Sequence, residues 1–217
     1  MENHDVLLVR GGIPLSGSLG AYRAKNSALY LMLASLLTDE PVVLHDVPML
    51  SDVLVSEEIL RHVGVETRWD GHDLHLHAAN LRNHHAPYSL VNKMRASFVI
   101  MGALLARAGE ARVSMPGGCA FGPRPVDRHL EAFQALGAVI VEEDGDFYAK
   151  RTGKLAGTVR FEAPTVGGTQ NVLLAAALGA GEVVIENAAR EPEVPDLAAM
   201  LVAMGADVRG AGTSTIV

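Results

Sequence analysis

Apolar residues at helical spacing alternate along this chain with short β-branched runs, and the whole alternation recurs. Helical patterns cover residues 26–37, 94–107 and 169–178. Positions i, i+3, i+4 and i+7 share one face of a helix, so such spacing writes an apolar stripe. After each comes a run suited to a strand: VVLHDV (residues 42–47), ARVSM (111–115) and EVVIEN (182–187). A second helix is predicted after each strand, with Asp52, Asp127 and Asp196 near its start, where a carboxylate complements exposed N–H groups and the helix dipole. Gly64, Gly137 and Gly205, in VGV, LGA and MGA, close these second helices.

Hairpins follow. ETRWDGHDLHLH and VIVEEDGDFYAK each alternate around Asp-Gly, a dipeptide favoured in tight two-residue turns. The third hairpin, DVRGAGTSTIV, reaches Val217 inside its second strand. The closing glycines recur at about seventy residues, so the chain reads as three copies of one unit, residues 22–90, 91–155 and 156–217, the last cut short. The expected fold class is α/β (α+β), built from βαβαββ-like repeats. A domain rarely ends inside a hairpin, so the chain is expected to be part of a longer protein. Residues 1–21, with the strand HDVLLVRGG, stand outside the repeats and are expected to pair with the missing part.

Composition narrows the function. The formal charge is −7 with acids and bases interspersed, which argues against a general nucleic-acid or membrane-surface binder. Any anionic ligand must then be met by local cations. The longest apolar runs, residues 28–37 and 98–106, fall short of the roughly 18–20 residues of a membrane span. MENHDVLLVRGG lacks a signal-peptide pattern, so a cytoplasmic location is expected. A single cysteine excludes an intrachain disulfide and any multi-cysteine metal site.

That cysteine, Cys119, lies in PGGCAFGPRPVD (residues 116–127). It is either an inert small core residue or a working thiol. Gly117, Gly118 and Gly122 disfavour a helix or strand core, Pro116, Pro123 and Pro125 mark a loop, and Arg124 would favour the thiolate if close in space. Lys25, Arg95 and Arg124 each fall at or beside a predicted helix start, where backbone N–H groups and a cation together suit phosphate or carboxylate. The alternative for each is an ordinary solvated side chain. His75 and His77 share a strand face, with NHH at residues 83–85, but a hairpin and a loop are a poor scaffold for a metal. There is no GxxxxGK[ST], and GGIPLSGSLG lacks dinucleotide-loop spacing.

AKNSAL (24–29), KMRASF (93–98), PGGCAFGPRPVD (116–127), VGGTQN (166–171) and IENAAREPEVPDL (185–197) resemble, in order, the UDP-N-acetylglucosamine enolpyruvyl transferase (1-carboxyvinyltransferase, MurA) family of the EPSP synthase-like superfamily. The resemblance is collinear from residue 9 to residue 217. It implies an inside-out α/β barrel of three repeats around buried central helices, and a chain covering about half of the usual two-domain enzyme. It implies transfer of the enolpyruvyl group of phosphoenolpyruvate to the 3′-hydroxyl of UDP-N-acetylglucosamine, with release of phosphate and with neither metal nor organic cofactor, as the first committed step toward peptidoglycan.

By the same resemblance, Cys119 is the proton donor and the fosfomycin target, and Lys25 and Arg124 bind the phosphate and carboxylate of phosphoenolpyruvate. Asn26 orients the reacting groups. Arg95, the run Arg124, Pro125, Val126, Asp127 and Arg128, and the turn Thr165, Val166 and Gly167 match positions that hold the UDP-sugar. Two departures stand out. Ala163 occupies a place where some members have lysine, and the catalytic aspartate and further arginines belong to the second domain, so the isolated chain is expected to be nearly inactive. The alternatives are a 5-enolpyruvylshikimate-3-phosphate synthase-like enzyme and a non-catalytic UDP-sugar-binding paralogue.

Overall fold

The computed structural model describes residue 6 and residues 8–116, 126–179 and 181–217, the side chain of Arg95 excepted. Residues 8–24 carry no helix or strand. Helix α1 (Lys25–Ala34) tightens into a 3₁₀ turn (Ser35–Leu37) and leads to β1 (Val42–Leu44), α2 (Ser51–Val63) and the hairpin of β2 (Glu66–Asp70) and β3 (Asp73–His77). Next come β4 (His85–Ala86), α3 (Tyr88–Val91), a 3₁₀ turn (Arg95–Val99) running into α4 (Ile100–Ala108), then β5 (Glu110–Ser114), α5 (Asp127–Ala135), β6 (Ala138–Glu143) and β7 (Asp146–Arg151). The order closes with β8 (Gly157–Arg160), α6 (Val166–Ala176), β9 (Val183–Glu186), α7 (Glu193–Ala203) and β10 (Thr215–Ile216).

Three sheets result, in the orders β1-β3-β2, β4-β5-β7-β6 and β10-β9-β8. In two of them a short leading strand pairs in parallel, with Ala86 opposite Val113 and Val159 opposite Ile185. Among the described residues β1 has no such neighbour. Leu74 and Leu76 of β3 point into the core while His75 and His77 on the other face are half-buried, as a sheet with one covered face requires.

Helices α1, α4 and α6 are buried on most of their surface: Met32, Ala34, Ile100, Met101, Leu104, Val172 and Leu174 are all fully enclosed. A helix apolar nearly all round must be surrounded by other elements, and α4 packs against both α1 and α6. Helix α2, in contrast, buries Val53, Ile59, Leu60 and Val63 and exposes Arg61 and His62. No helix among the described residues is long and apolar enough to cross a membrane.

Local chemistry moves several boundaries from those the pattern predicts. The strand expected over 42–47 stops at Leu44 because Asp46 takes a left-handed φ of 56° and gives its N–H to the Asp73 carboxylate. The stretch expected as one helix from residue 94 opens as 3₁₀, where the Ser97 hydroxyl donates to the carbonyls of Val91 and Met94 and so competes with helical bonding. Helix α6 starts before residue 169 because Thr165 caps it, its Oγ1 accepting from Gly168 N at 3.3 Å.

The two Asp-Gly dipeptides also differ in register. Asp144 and Gly145 are the two loop residues of the β6–β7 hairpin, both with positive φ, 54° and 80°, a type I′ turn. In the β2–β3 hairpin Asp70 is still paired, with Asp73, and Gly71 and His72 form the loop; of these two only Gly71 is left-handed, at 61°, which suits type II′.

Candidate substrate-binding cleft

The N-terminal ends of α1 and α6 open onto one cleft of about 500 Å³. Lys25 and Asn26 line it from α1, Thr165, Val166 and Gly167 from α6, and His129 from α5. Helices α2, α5 and α7 each carry an acid in the first turn, whereas α1 and α6 carry none. The positive ends of these two central helices are therefore left without a carboxylate of their own, an arrangement that favours an anion between them.

Acids of neighbouring helices orient the polar side chains at the start of α1. Lys25 Nζ donates to Asp52 Oδ2 at 2.6 Å, Asn26 Nδ2 to Glu193 Oε1 at 3.2 Å and Ser27 Oγ to Asp196 Oδ2 at 2.6 Å. The Lys25 and Asp52 side chains are 39% and 33% exposed. A pair so wet contributes little to stability; its consequence is that the ammonium is held at the cleft rather than swinging free.

The sequence profile of the EPSP synthase (3-phosphoshikimate 1-carboxyvinyltransferase) family matches residues 9–217. The chain belongs to this family. Two proteins named UDP-N-acetylglucosamine 1-carboxyvinyltransferase illustrate the similarity: that of Thermus thermophilus is 56% identical over 211 residues, covering 97% of this chain and 49% of the relative. That of Deinococcus deserti is 54% identical over 212 residues, covering 97% and 50%. The chain thus spans about half the length of the curated relatives it matches. Among solved structures, the enolpyruvyl transferase NikO from Streptomyces tendae aligns with a TM-score of 0.81 over 95% of this chain and 48% of that one, at 24% identity. An EPSP synthase from Acinetobacter baumannii aligns at 0.69 over 89% and 44%, at 19% identity. Such distant likenesses carry the fold, and the mixed α/β fold is that of the EPSP synthase family.

Of the residues singled out in this EPSP synthase family chain, Lys25, Asn26, Thr165, Val166 and Gly167 meet at the cleft. Arg95 opens the 3₁₀ turn between Met94 and Ala96, which both line it. Val126, Asp127 and Arg128 stand at the start of α5, one turn from the cleft wall; Val126 is buried, and Arg128 Nη1 lies 3.4 Å from the carbonyl of Ala163. Cys119, Arg124 and Pro125 lie outside the described residues. Asp52, His129 and Glu193 also line the cleft and were not anticipated as site residues. A signal for Asp52 existed, since it opens a second helix of the repeat, but dipole complementation alone accounted for it.

Strand β5 leads from the core toward residue 116, and a part-buried ion cluster anchors its end. The Asp146 carboxylate on β7 accepts from Ser114 Oγ and Arg112 Nε, and the guanidinium lies over the Tyr148 ring, 4.8 Å from its centroid. Burial pushes the Asp146 carboxyl up, but the hydrogen bonds from Ser114 and Arg112 outweigh it and leave the group below its usual range. His85 Nε2 is 3.6 Å from Asp146, too far for a hydrogen bond. Burial, and then the neighbouring Arg112 charge, depress the His85 pKa despite the pull of Asp146.

The sign for His85 follows from linkage. The unfolded chain protonates His85 near pH 6.5 while the folded chain resists, so the unfolded state binds more protons in that interval and stability rises with pH. The His85 contribution is complete above about pH 6.5 and is lost as pH falls toward the folded pKa. Urea midpoints should therefore drop on going from about pH 7.5 to about pH 5.5, and His85→Gln should shrink that drop. An unchanged drop in the variant would mean that His85 is not held neutral by its surroundings.

Proposed function

We propose that this chain is the half of an enolpyruvyl transferase that holds both substrates at the starts of α1 and α6. The enzyme moves the enolpyruvyl group of phosphoenolpyruvate to the 3′-hydroxyl of UDP-N-acetylglucosamine and releases phosphate, the first committed step toward peptidoglycan. Two central helix N-termini, neither with an acid in its own first turn, meet with Lys25 at one cleft, and this convergence carries the reading; the 56% identity to a protein named for that reaction supports the choice of acceptor. Phosphoenolpyruvate and UDP-N-acetylglucosamine are both anionic, and fixed cations with backbone N–H groups are the donors they need.

In this reading the Cys119 thiol protonates the vinyl carbon of phosphoenolpyruvate, turning CH2 into CH3 and leaving cationic character on the adjacent carbon. The sugar oxygen attacks that carbon and loses its proton to the carboxylate that the second domain brings. The tetrahedral adduct then expels phosphate and returns a proton from the methyl group to the Cys119 thiolate, which regenerates both the vinyl ether and the thiol. Lys25 and Arg124 hold the phosphate and carboxylate. Thr165 to Gly167, with Arg95, Pro125, Val126, Asp127 and Arg128, receive the nucleotide sugar. Arg128, beside the Ala163 carbonyl, supplies the cation at the place where some members have lysine. Residues 22–217 form the three-repeat domain, residues 1–21 pair with a second domain, and that domain brings the remaining acid and arginines. The same reading puts the protein in the cytoplasm.

Intact mass after incubation with fosfomycin tests this directly, because one thiol makes any adduct unambiguous. The expected result is a single adduct on Cys119 that forms faster with UDP-N-acetylglucosamine present. A folded chain that gives no adduct would mean either that the site needs the second domain or that the thiol does not work here, and the same incubation of a protein joining this chain to that domain decides which. In a protein joining this chain to a second domain, phosphate release with shikimate 3-phosphate but not with the UDP-sugar would transfer the assignment to the synthase-like alternative.

A further inference from the structure

The segments that follow the first two hairpins do the same thing. After β3 the chain turns back over the end of α2, where the Arg82 N–H donates to the carbonyl of Val63 at 2.9 Å. After β7 it turns back over the end of α5, where the Ala156 N–H reaches the carbonyl of Leu136 at 3.4 Å. Carbonyls at a helix end have no partner within the helix, so each needs a donor from outside. Val63 and Leu136 stand immediately before the closing glycines, Gly64 and Gly137. A leucine precedes each donor: Leu81 packs against the core, and Leu155 is only 2% exposed. Leu155 and Ala156 also abut the turn after α6, where a Cβ on Gly181 would meet Ala156 Cβ at 2.5 Å and the Leu155 carbonyl oxygen at 2.9 Å. The second repeat is thereby latched onto the third.

In the third repeat the equivalent carbonyl is that of Met204, before Gly205, and among the described residues no backbone N–H donates to it from a following segment. Beside it lies a groove of about 440 Å³ between the end of α7 and the connection from α1 to β1. Leu37, Pro41, Ala177, Leu178, Leu201 and Met204 line it, and Leu178 is 46% exposed. The groove stands to α7 and α1 as Leu155 stands to α5 and α6.

We infer that this groove is the seat of a leucine in the segment that follows Val217, with the next N–H of that segment donated to the Met204 carbonyl, so that the third repeat is latched onto the first. The sheets set the spacing. Leu81 lies five residues past Leu76, which pairs with Val42, and Leu155 lies seven past Tyr148, which pairs with Arg112. Val42, Arg112 and Val184 each stand two residues after a glutamate, Glu40, Glu110 and Glu182. Continuing the β9–β10 register by one pair sets Val217 opposite Val184. The leucine is therefore expected five to seven residues past Val217. Of the function proposed above, this rests only on the chain continuing into a longer protein, and not on the substrates.

Melting of the chain with nine further residues after Val217 tests the seat. AKRTGKLAG, a copy of residues 149–157, places its leucine seven past Val217. The extended chain should melt at least about 4 °C above one whose extension has aspartate for that leucine. The amide after the leucine should exchange at least about tenfold more slowly than in the aspartate form. Leu178→Asp charges the groove wall at an exposed position. It should leave the unextended chain within about 2 °C of wild type and abolish the gain in the extended one. Equal melting of the leucine and aspartate extensions overturns the inference, as does a gain that Leu178→Asp leaves intact. A second copy of the chain is the competing occupant: an unextended chain that dimerises through this groove, and that the leucine extension does not turn monomeric, overturns the inference as well. None of these readouts involves activity, so a failed fosfomycin reaction leaves the seat standing and a failed seat leaves the cleft standing.

Discussion

Gly102→Ala should lower the melting temperature of this chain by about 6 °C. The added Cβ would lie 2.2 Å from the backbone oxygen of Asn171, 2.5 Å from its Oδ1 and 3.1 Å from its carbonyl carbon. These atoms belong to the buried helix α6, so neither side can yield without separating α4 from α6. Overpacking of this kind costs about 3 kcal/mol, against which alanine returns about 1 kcal/mol of helix propensity. The cost also includes the Gly102 N–H bond to Asn171, so the orientation of His129 should be lost together with stability. Gly153→Ala, with nothing within 4 Å of its added Cβ, is the control and should melt with the wild type. A Gly102→Ala chain melting within about 2 °C of wild type would refute so close a helix approach.

Lys25→Met should slow fosfomycin alkylation of Cys119 by about 100-fold, since removing one charged donor to a bound phosphate or oxyanion costs on the order of 10²–10³ in rate. Lys25→Arg should recover only part of it, because a guanidinium fork cannot occupy the place of a compact ammonium held by Asp52 at 2.6 Å. Asp52→Asn keeps the cation and loses its anchor, for an expected slowing of about tenfold or less. Combining it with Lys25→Met should add nothing to the single lysine variant, as expected when one residue acts through the other. Equal rates for Lys25→Met and wild type, measured as adduct mass against time, would take Lys25 out of the anion site.

Positions whose structural role depends on a few neighbours in sequence were legible in advance. Gly64, Gly137 and Gly205 all have left-handed φ, 110°, 91° and 104°, and each follows a second helix; at Gly64 a Cβ would also stand 2.7 Å from the backbone of Asn80 and Arg82. The three buried helices could be recognised as helices from apolar residues at helical spacing, while their burial was implied only by the family resemblance; AKNSAL marked the start of α1 within one residue. The boundaries moved by Thr165, Ser97 and Asp46 were not legible, because each depends on a side chain that could equally have faced water. Nor was the unequal register of the two Asp-Gly turns, which is set by strand pairing rather than by the dipeptide.

The sequence by itself determined the period of the chain, its α/β class, the helix starts that would bear cations and the single thiol, because spacing, turn stereochemistry and composition are local properties. Only the tertiary structure decided what those helix starts meet. Asn26 finds Glu193 and Ser27 finds Asp196 across 167 and 169 residues of chain, and no periodicity records a partner so distant. His129 Nδ1 meets the amide of Asn171, 42 residues away, and that amide in turn accepts from an N–H of Gly102, 69 residues from it. Such assignments arise because a buried donor must find an acceptor, and which one it finds is known only once the helices have packed.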